Sequence, residues 1–308
     1  VKILVTGGAG FIGSHVADRM LTAGHEVLIA DDLSTGRERN LPSRAAFTRL
    51  DIRSPAFEEY VLRERPEAVC HLAAQIDVRR SVADPLLDAG INVLGSLRLA
   101  KAAAQAGCRQ IIFSSTGGAI YGEQDVFPAG EEHPCRPVSP YGASKLCAEA
   151  MLGYFARTGG PALTCLRYAN VYGPRQDPHG EAGVVAIFCG RLLQGQAPTI
   201  YGDGGQTRDF VYVGDVAEAN LRALERGRDG VFNIGTGLET EVNTIARLLI
   251  EASGFQGAAR YAPGKPGEQR RSVIDPGRAG RELGWRPTVP LAEGLRRTLE
   301  FFRGLEAG

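Results

Sequence analysis

The chain has 308 residues with 35 basic and 35 acidic side chains, so its formal net charge is zero. That balance argues against a protein that binds nucleic acid or acidic membranes through bulk charge. No apolar run reaches the roughly 18–20 residues that a membrane span needs.

Residues 1–6, VKILVT, predict a first short strand. Phe11 to Ala23 has helical spacing and stops at Gly24. EVLIA (26–30) predicts the second strand and Ala46 to Leu50 the third, with a helix near 55–64. EAVCHLAA (67–74) predicts the fourth strand, and a long helical pattern runs from about Asn92 to Ala106, ending at Gly107. QIIFSS (110–115), a helix over 142–157 and the strand ALTCLRYA (162–169) follow. Strands alternating with helices through short connections predict an α/β fold, a Rossmann-like doubly wound parallel sheet.

Beyond Tyr172 the pattern changes. GPRQDPHGEAG (173–183) reads as a loop, followed by short helices, a strand near Thr199 and Ile200, and a second loop, YGDGGQTRDF (201–210). A helix near 215–226 and VFNIG (231–235) read as a return to the main sheet. A helix near 243–253, a Gly/Pro-rich loop at 263–268 and a helix at 291–303 close the chain. The expected division is a sheet-bearing domain of 1–170 plus about 211–237, and a smaller α+β C-terminal substrate lobe of about 171–210 plus 238–308.

Thr6-Gly7-Gly8-Ala9-Gly10-Phe11-Ile12-Gly13 joins the first strand to the first helix. Gly7 permits the tight turn, Gly10 lets the backbone approach a pyrophosphate, and Gly13 lets helix and strand pack closely. The helix N-terminus then offers free N–H groups to the phosphates. Asp31 ends the second strand, where a carboxylate accepts hydrogen bonds from the adenosine ribose hydroxyls and repels a 2′-phosphate. The expected cofactor is NAD; Arg37 and Arg39 keep NADP open. Asp32 and Ser34 read either as cofactor contacts or as a solvated turn.

Tyr141 and Lys145 stand four apart on a predicted helix and share a face. A tyrosine is mostly neutral at pH 7, and a nearby ammonium favours the phenolate that works as a base. The chain has only four lysines, at 2, 101, 145 and 265, and otherwise uses arginine. A compact point charge is what the lysine adds over a guanidinium fork.

TGGAGFIG, the Asp31 position, Asp51-Ile52, HLAA (71–74), SST (114–116), YGASK (141–145) and LRYANVYGP (166–174) together resemble the extended short-chain dehydrogenase/reductase family. YGDGGQTRDFVYVGDVA (201–217) and RELGW (281–285) extend the likeness over essentially the whole chain, and within the family it is strongest to the nucleotide-sugar 4-epimerases. The resemblance implies that Asp51 and Ile52 meet the adenine and that Leu72, Ala73 and Ala74 line the cofactor groove with Asn92 beside them. It puts Ser114 and Tyr168 at the nicotinamide end, Thr116 on the sugar O4, Tyr141 as base and Lys145 as its partner. Asn170, Val184, Tyr201 and Arg208 would hold the UDP. Lys265 and Glu268 stand where many relatives have Arg and Asp, and would contact phosphate and the uridine ribose. Ser272 stands where a large residue excludes N-acetylated sugars in some relatives, so UDP-GlcNAc and UDP-GalNAc would fit beside UDP-glucose and UDP-galactose.

The implied reaction is C4 epimerisation through a 4-keto sugar. The competing reading within the family is a 4,6-dehydratase or a decarboxylase, whose acidic residues follow the Ser/Thr directly; here Gly117, Gly118 and Ala119 follow Thr116. A non-catalytic NAD-binding protein on the same fold is the other alternative. Thr116 also reads as a strand-end cap, Asn170 as a turn residue and Arg208 as half of a surface salt bridge. His71, within an apolar strand, reads as a core histidine, and the five histidines lack metal spacing. The segment SSTGGAIYG (114–122) is one residue longer than the SSSATVYG of many epimerases, so its glycine amides compete with Thr116 as the donor to O4. The resemblance implies a homodimer paired through the helices near 92–106 and 142–157. Six scattered cysteines without a CxxC pair, and an N-terminus that enters a strand at once, read as a cytoplasmic protein with reduced thiols.

Overall fold

The computed structural model describes residues 1–178, 183–264 and 269–306. Its first part runs β1 (Lys2–Thr6), α1 (Phe11–Thr22), β2 (Glu26–Asp31), β3 (Ala46–Arg49), α2 (Pro55–Glu64) and β4 (Ala68–His71). Then come α3 (Val78–Ala83), α4 (Pro85–Ala89), a π-helical stretch over Gly90–Gly95, and α5 (Ser96–Ala106). β5 (Gln110–Thr116), α6 (Gly117–Ile120), α7 (Pro140–Arg157), β6 (Ala162–Tyr168) and β7 (Asn170–Tyr172) follow. The remainder is α8 (Val184–Leu193), β8 (Thr199–Tyr201), β9 (Thr207–Arg208), β10 (Phe210–Tyr212), α9 (Val213–Arg226) and β11 (Gly230–Ile234). β12 (Thr240–Glu241), α10 (Val242–Ser253), β13 (Arg260–Ala262), β14 (Arg271–Ser272), α11 (Gly277–Glu282) and α12 (Leu291–Glu306) end it.

Seven strands form one all-parallel sheet in the order β11-β6-β5-β4-β1-β2-β3. β1 to β4 is where the strand order reverses, which opens a crevice at the carboxyl ends of the strands. Apolar side chains cover both faces, as a parallel sheet requires. One layer packs Val16 and Met20 of α1 with Val216 of α9 and Trp285; the other packs Phe57 of α2, Leu99 of α5 and Leu152 of α7. A third core joins α8, α10 and α12 through Phe188, Leu249 and Leu299. Small sheets, β10-β7, β12-β9-β14 and β13-β8, lie around it.

Local chemistry explains the boundaries. α2 starts where Ser54 accepts from the Phe57 amide with Pro55 in the first turn, and α7 starts the same way at Ser139 and Pro140. Asp215 in α9 fixes the chain after α11: its carboxylate accepts from Thr288 Oγ1 at 2.7 Å and the Val289 amide at 3.1 Å.

All seven predicted sheet strands are present. Two details differ. The fourth strand ends at His71, so 72–74 leave the ladder and become groove lining. Helical structure starts at Val78, well before Asn92: Asp77 caps α3, Asp84 caps α4 with Pro85 in its first turn, and the backbone then widens into the π stretch.

Candidate active site

A groove follows the carboxyl ends of β1, β2 and β4. Gly7 sits at φ +70°, and a Cβ there would meet the Ala73 amide nitrogen at 2.7 Å. A Cβ on Gly13 would collide with the Gly7 carbonyl. No side chain caps α1, so its first N–H groups face the groove unspent. Glycine cradle and uncapped helix fit a dinucleotide's diphosphate.

Asp31 is buried, and burial pushes its carboxyl upward while hydrogen bonds from the Leu33 and Ala9 amides, at 2.8 and 2.9 Å, pull it back. Asp32 accepts from the amide and hydroxyl of Ser34, forming a turn whose residues also line the groove. Asp51 is held below the usual carboxylate range by the Arg53 guanidinium, its Oδ2 2.6 Å from Nη2. Ile52, Phe11, Ile12, Leu72, Ala73 and Ala74 supply apolar walls.

His71 belongs to the frame. Its Nε2 lies 2.9 Å from Ser96 Oγ and its Nδ1 2.7 Å from Thr6 Oγ1. Ser96 spends its proton on the Asn92 carbonyl at 2.6 Å, so His71 Nε2 donates and Nδ1 accepts. Burial, with Lys145 adding to it, pulls the imidazole down to about 3. Asn92 is buried and is not in the described lining of the groove. Its amide bonds the Gln75 backbone on both sides, at 2.9 Å each, and Ile91 takes the lining position.

Lys145 is buried on α7 and donates from Nζ to the Ser114 carbonyl at 2.9 Å, with Nζ 4.8 Å from the centre of the Phe113 ring. Burial pulls it down to about 8, against the pull of Asp88 and Glu149. Ser114 Oγ and Tyr168 OH are 2.9 Å apart, and Asn220 Nδ2 donates to that phenol at 2.8 Å. Tyr141 lines both this groove and a second one. Burial pushes the phenol up to about 12, with Thr116 pulling the other way. Thr116 is the last residue of β5 and makes no side-chain cap to α6.

The second groove runs from Thr116 and Tyr141 past Asn170, Val184 and Arg208. Asn170 sits in β7, its amide donating to the Asp209 carbonyl at 2.8 Å, so it is a strand residue and not a turn. Arg208 brings a half-buried guanidinium whose Nη1 donates to the Thr207 carbonyl at 2.7 Å. Gly118 lies open: a Cβ there would stand 3.7 Å from Asn170 Oδ1. Gly117 is closed, since a Cβ would meet Ile274 Cδ1 at 2.8 Å. Among the described residues the lining of this groove carries no carboxylate.

Two expected residues are elsewhere. Tyr201 is not in the described lining of the groove, and Gln206, which donates to its carbonyl at 3.1 Å, is. Ser272 is buried in β14 beside Arg208 and is not part of the lining. Lys265 and Glu268 lie outside the described residues. Sequence reasoning missed Ser115, Gln176 and Gln206, which line the second groove. The buried Ser115 hydroxyl has no partner. A polar residue at the end of a strand between two assigned positions was the available signal for it.

Residues 3–235 match the model of the NAD dependent epimerase/dehydratase family. The chain belongs to that family. It is 50% identical to the Thermotoga maritima UDP-glucose 4-epimerase solved with UDP-glucose, at a TM-score of 0.97, covering 99% of this chain and 100% of that one. It is 46% identical to the Thermus thermophilus UDP-glucose 4-epimerase solved with NAD, at a TM-score of 0.93 with 99% of each chain covered. The UDP-glucose 4-epimerase of Mycolicibacterium smegmatis is 45% identical over 98% of this chain and 99% of its own length. The epimerase/dehydratase family thus extends over the sheet, and the likeness to individual members extends into the C-terminal helices.

Proposed function

We propose that the chain is an NAD-dependent UDP-glucose 4-epimerase, interconverting UDP-glucose and UDP-galactose. The observation that carries this is Tyr141 lining both grooves, with Thr116 beside it in the second, whose described lining holds no carboxylate. A dehydratase needs a general acid for the C6 hydroxyl, and neither Gly117 nor Gly118 offers one.

In this reading residues 1–170 and about 211–237 bind NAD, and about 171–210 with 238–308 bind the nucleotide sugar. Gly7, Gly10, Phe11 and Ile12 hold the diphosphate, Asp31, Asp32 and Ser34 the adenosine ribose, and Asp51 and Ile52 the adenine. Ser114, Tyr168 and Lys145 border the nicotinamide end. Bound NAD would supply a reversible two-electron oxidation at C4 and a positive charge beside the phenol. Tyr141 takes the O4 proton as C4 is oxidised and returns it after the 4-keto sugar has turned over. Thr116 holds O4 in reach of that phenol. Lys145, anchored to Ser114, supplies the cation that favours phenolate. Arg208 holds the diphosphate while Asn170 and Val184 border the sugar. The described lining of the groove does not include Ser272, so the geometry adds nothing to the expected route to N-acetylated sugars through it.

Homodimer formation is part of the proposal. Leu86, Leu94, Met151 and Tyr154 expose apolar surface on α4, the π stretch and α7, which supports pairing along that face. No described helix is long and apolar enough to cross a membrane. Six free cysteines support a reducing, cytoplasmic setting. The test is incubation of the purified protein with UDP-galactose. Formation of UDP-glucose is expected; a 4-keto-6-deoxy product, or no product with NAD added, overturns the reading.

A further inference from the structure

Tyr121, near the end of SSTGGAIYG, is fully buried and is in the described lining of neither groove. Its ring packs with Ala129 and Ile274. Its hydroxyl donates to Asn233 Oδ1 at 2.7 Å and accepts from Arg167 Nη1 at 3.1 Å. Arg167 turns its other edge to Glu149: Nε and Nη2 donate to the two carboxylate oxygens at 3.0 and 2.6 Å. The two side chains of this pair are only 6% and 7% exposed. No step of the function assigned above uses any of the three residues. A buried ion pair adds little net stability, because desolvation offsets most of its attraction. A two-pronged fork fixes geometry as well as energy.

Each member stands beside a working residue. Glu149 follows Lys145 by four residues, as Lys145 follows Tyr141, so the three descend one side of α7. Arg167 pairs across the sheet with Ser115, between the pairs Ser114 with Leu166 and Thr116 with Tyr168. Tyr121 directly follows α6, the floor that starts after Thr116. α7 in turn rests on that floor: a Cβ on Gly142, next to Tyr141, would meet the Ala119 carbonyl oxygen at 2.7 Å. The contacts therefore close a circuit. Arg167 holds α7 through Glu149 and the end of the floor through Tyr121, and α7 touches the floor at Gly142. Asn233 of β11 ties the same end to the loop beyond it, its Nδ2 donating to the Ala129 carbonyl at 3.0 Å.

We propose that Arg167, with Glu149 and Tyr121, is a positioning clamp for the proton-transfer site: it sets the spacing between the helix that carries Tyr141 and the strand end that carries Thr116. The proposal rests on Tyr141 and Thr116 being that site, as in the reading above. None of the three is in the described lining of either groove, so they act through the circuit alone. Transfer steps are steep in distance: a misplacement of about 1 Å costs on the order of a hundredfold in rate. Nucleotide binding in the second groove does not depend on that spacing.

Tyr121→Phe tests it, because it keeps the ring and removes only the hydroxyl that joins Arg167 to Asn233. Turnover per UDP-binding site, with the sites counted by UDP titration, is expected to fall about 10-fold. KM for UDP-galactose and the dissociation constant of UDP are expected to stay within about twofold. A purely structural role would lower the number of UDP-binding sites and leave turnover per site unchanged. The double variant Glu149→Leu with Arg167→Met replaces the ion pair by apolar side chains of similar volume. It is expected to fold and to show the same fall in turnover per site. It decides the question in the same way should Tyr121→Phe not fold. Unchanged turnover per site, or a KM that rises in step with the loss of kcat, overturns the proposal. Absence of epimerase turnover in the unaltered protein overturns the functional reading, and the proposal with it.

Discussion

Lys145 Nζ donates to the carbonyl oxygen of Ser114 at 2.9 Å, pinning α7 to the end of β5. That bond places the ammonium behind the strand that carries Thr116 and one turn beyond Tyr141. Lys145→Met removes the cation and leaves the Ser114 carbonyl unpaired. Turnover is expected to fall by about 10²–10⁴-fold, with UDP affinity kept, measured by steady-state kinetics and UDP titration. Lys145→Arg is expected to fail similarly, because a planar fork does not replace a compact ammonium in a closed site.

The pH response follows from two buried groups of lowered pKa. Lys145 titrates near 8 in the fold and near 10.5 when unfolded, so the unfolded chain binds the extra proton between those values. Its contribution to stability therefore rises with pH across that window while activity declines as the ammonium is lost. His71 is neutral in the fold down to about 3, whereas an unfolded histidine protonates below about 6.5. Its contribution to stability is lost as pH falls from about 6.5 toward 3. Denaturant midpoints at stepped pH are expected to fall on the acid side, and less steeply in His71→Gln.

Gly7→Ala forces a left-handed φ on a residue with a Cβ and sets that Cβ against the Ala73 amide. Destabilisation of about 1–3 kcal/mol is expected, together with loss of NAD retention, read by thermal unfolding with and without added NAD.

Ser272→Tyr separates a gatekeeper from a packing role. The side chain is buried in β14, and its carbonyl accepts from the Asp209 amide at 2.9 Å. A tyrosine there overpacks the small sheet, at about 1–3 kcal/mol. Lower stability and an equal loss on UDP-galactose and UDP-N-acetylgalactosamine are expected. Selective loss of the acetylated substrate would return Ser272 to the sugar pocket.

The parallel sheet was legible because most of its strands are short apolar runs bounded by glycine or polar turns, from VKILVT to VFNIG, with the edge strand β3 the exception. The glycine cradle was legible because its spacing is dictated by close backbone approach. The stretch from Val78 to Gly95 was not, since Pro85, Gly90 and Gly95 interrupt the helical period that tertiary packing then restores. The places of Tyr201 and Ser272 came from the family resemblance, and strands of two or three residues carry too little pattern to fix a side chain's direction. SSTGGAIYG resolves into a strand end and a four-residue helix. Gly117 packs on Ile274, and Gly118 keeps the floor beside Thr116 open.

The central claim is reversible oxidation at C4 by a Tyr141 and Thr116 site without net redox change. Incubation with UDP-[4-²H]galactose tests it most directly. The account predicts UDP-glucose with deuterium kept at C4, and almost no conversion by Tyr141→Phe. Loss of the label to solvent, or unchanged conversion by Tyr141→Phe, would contradict it.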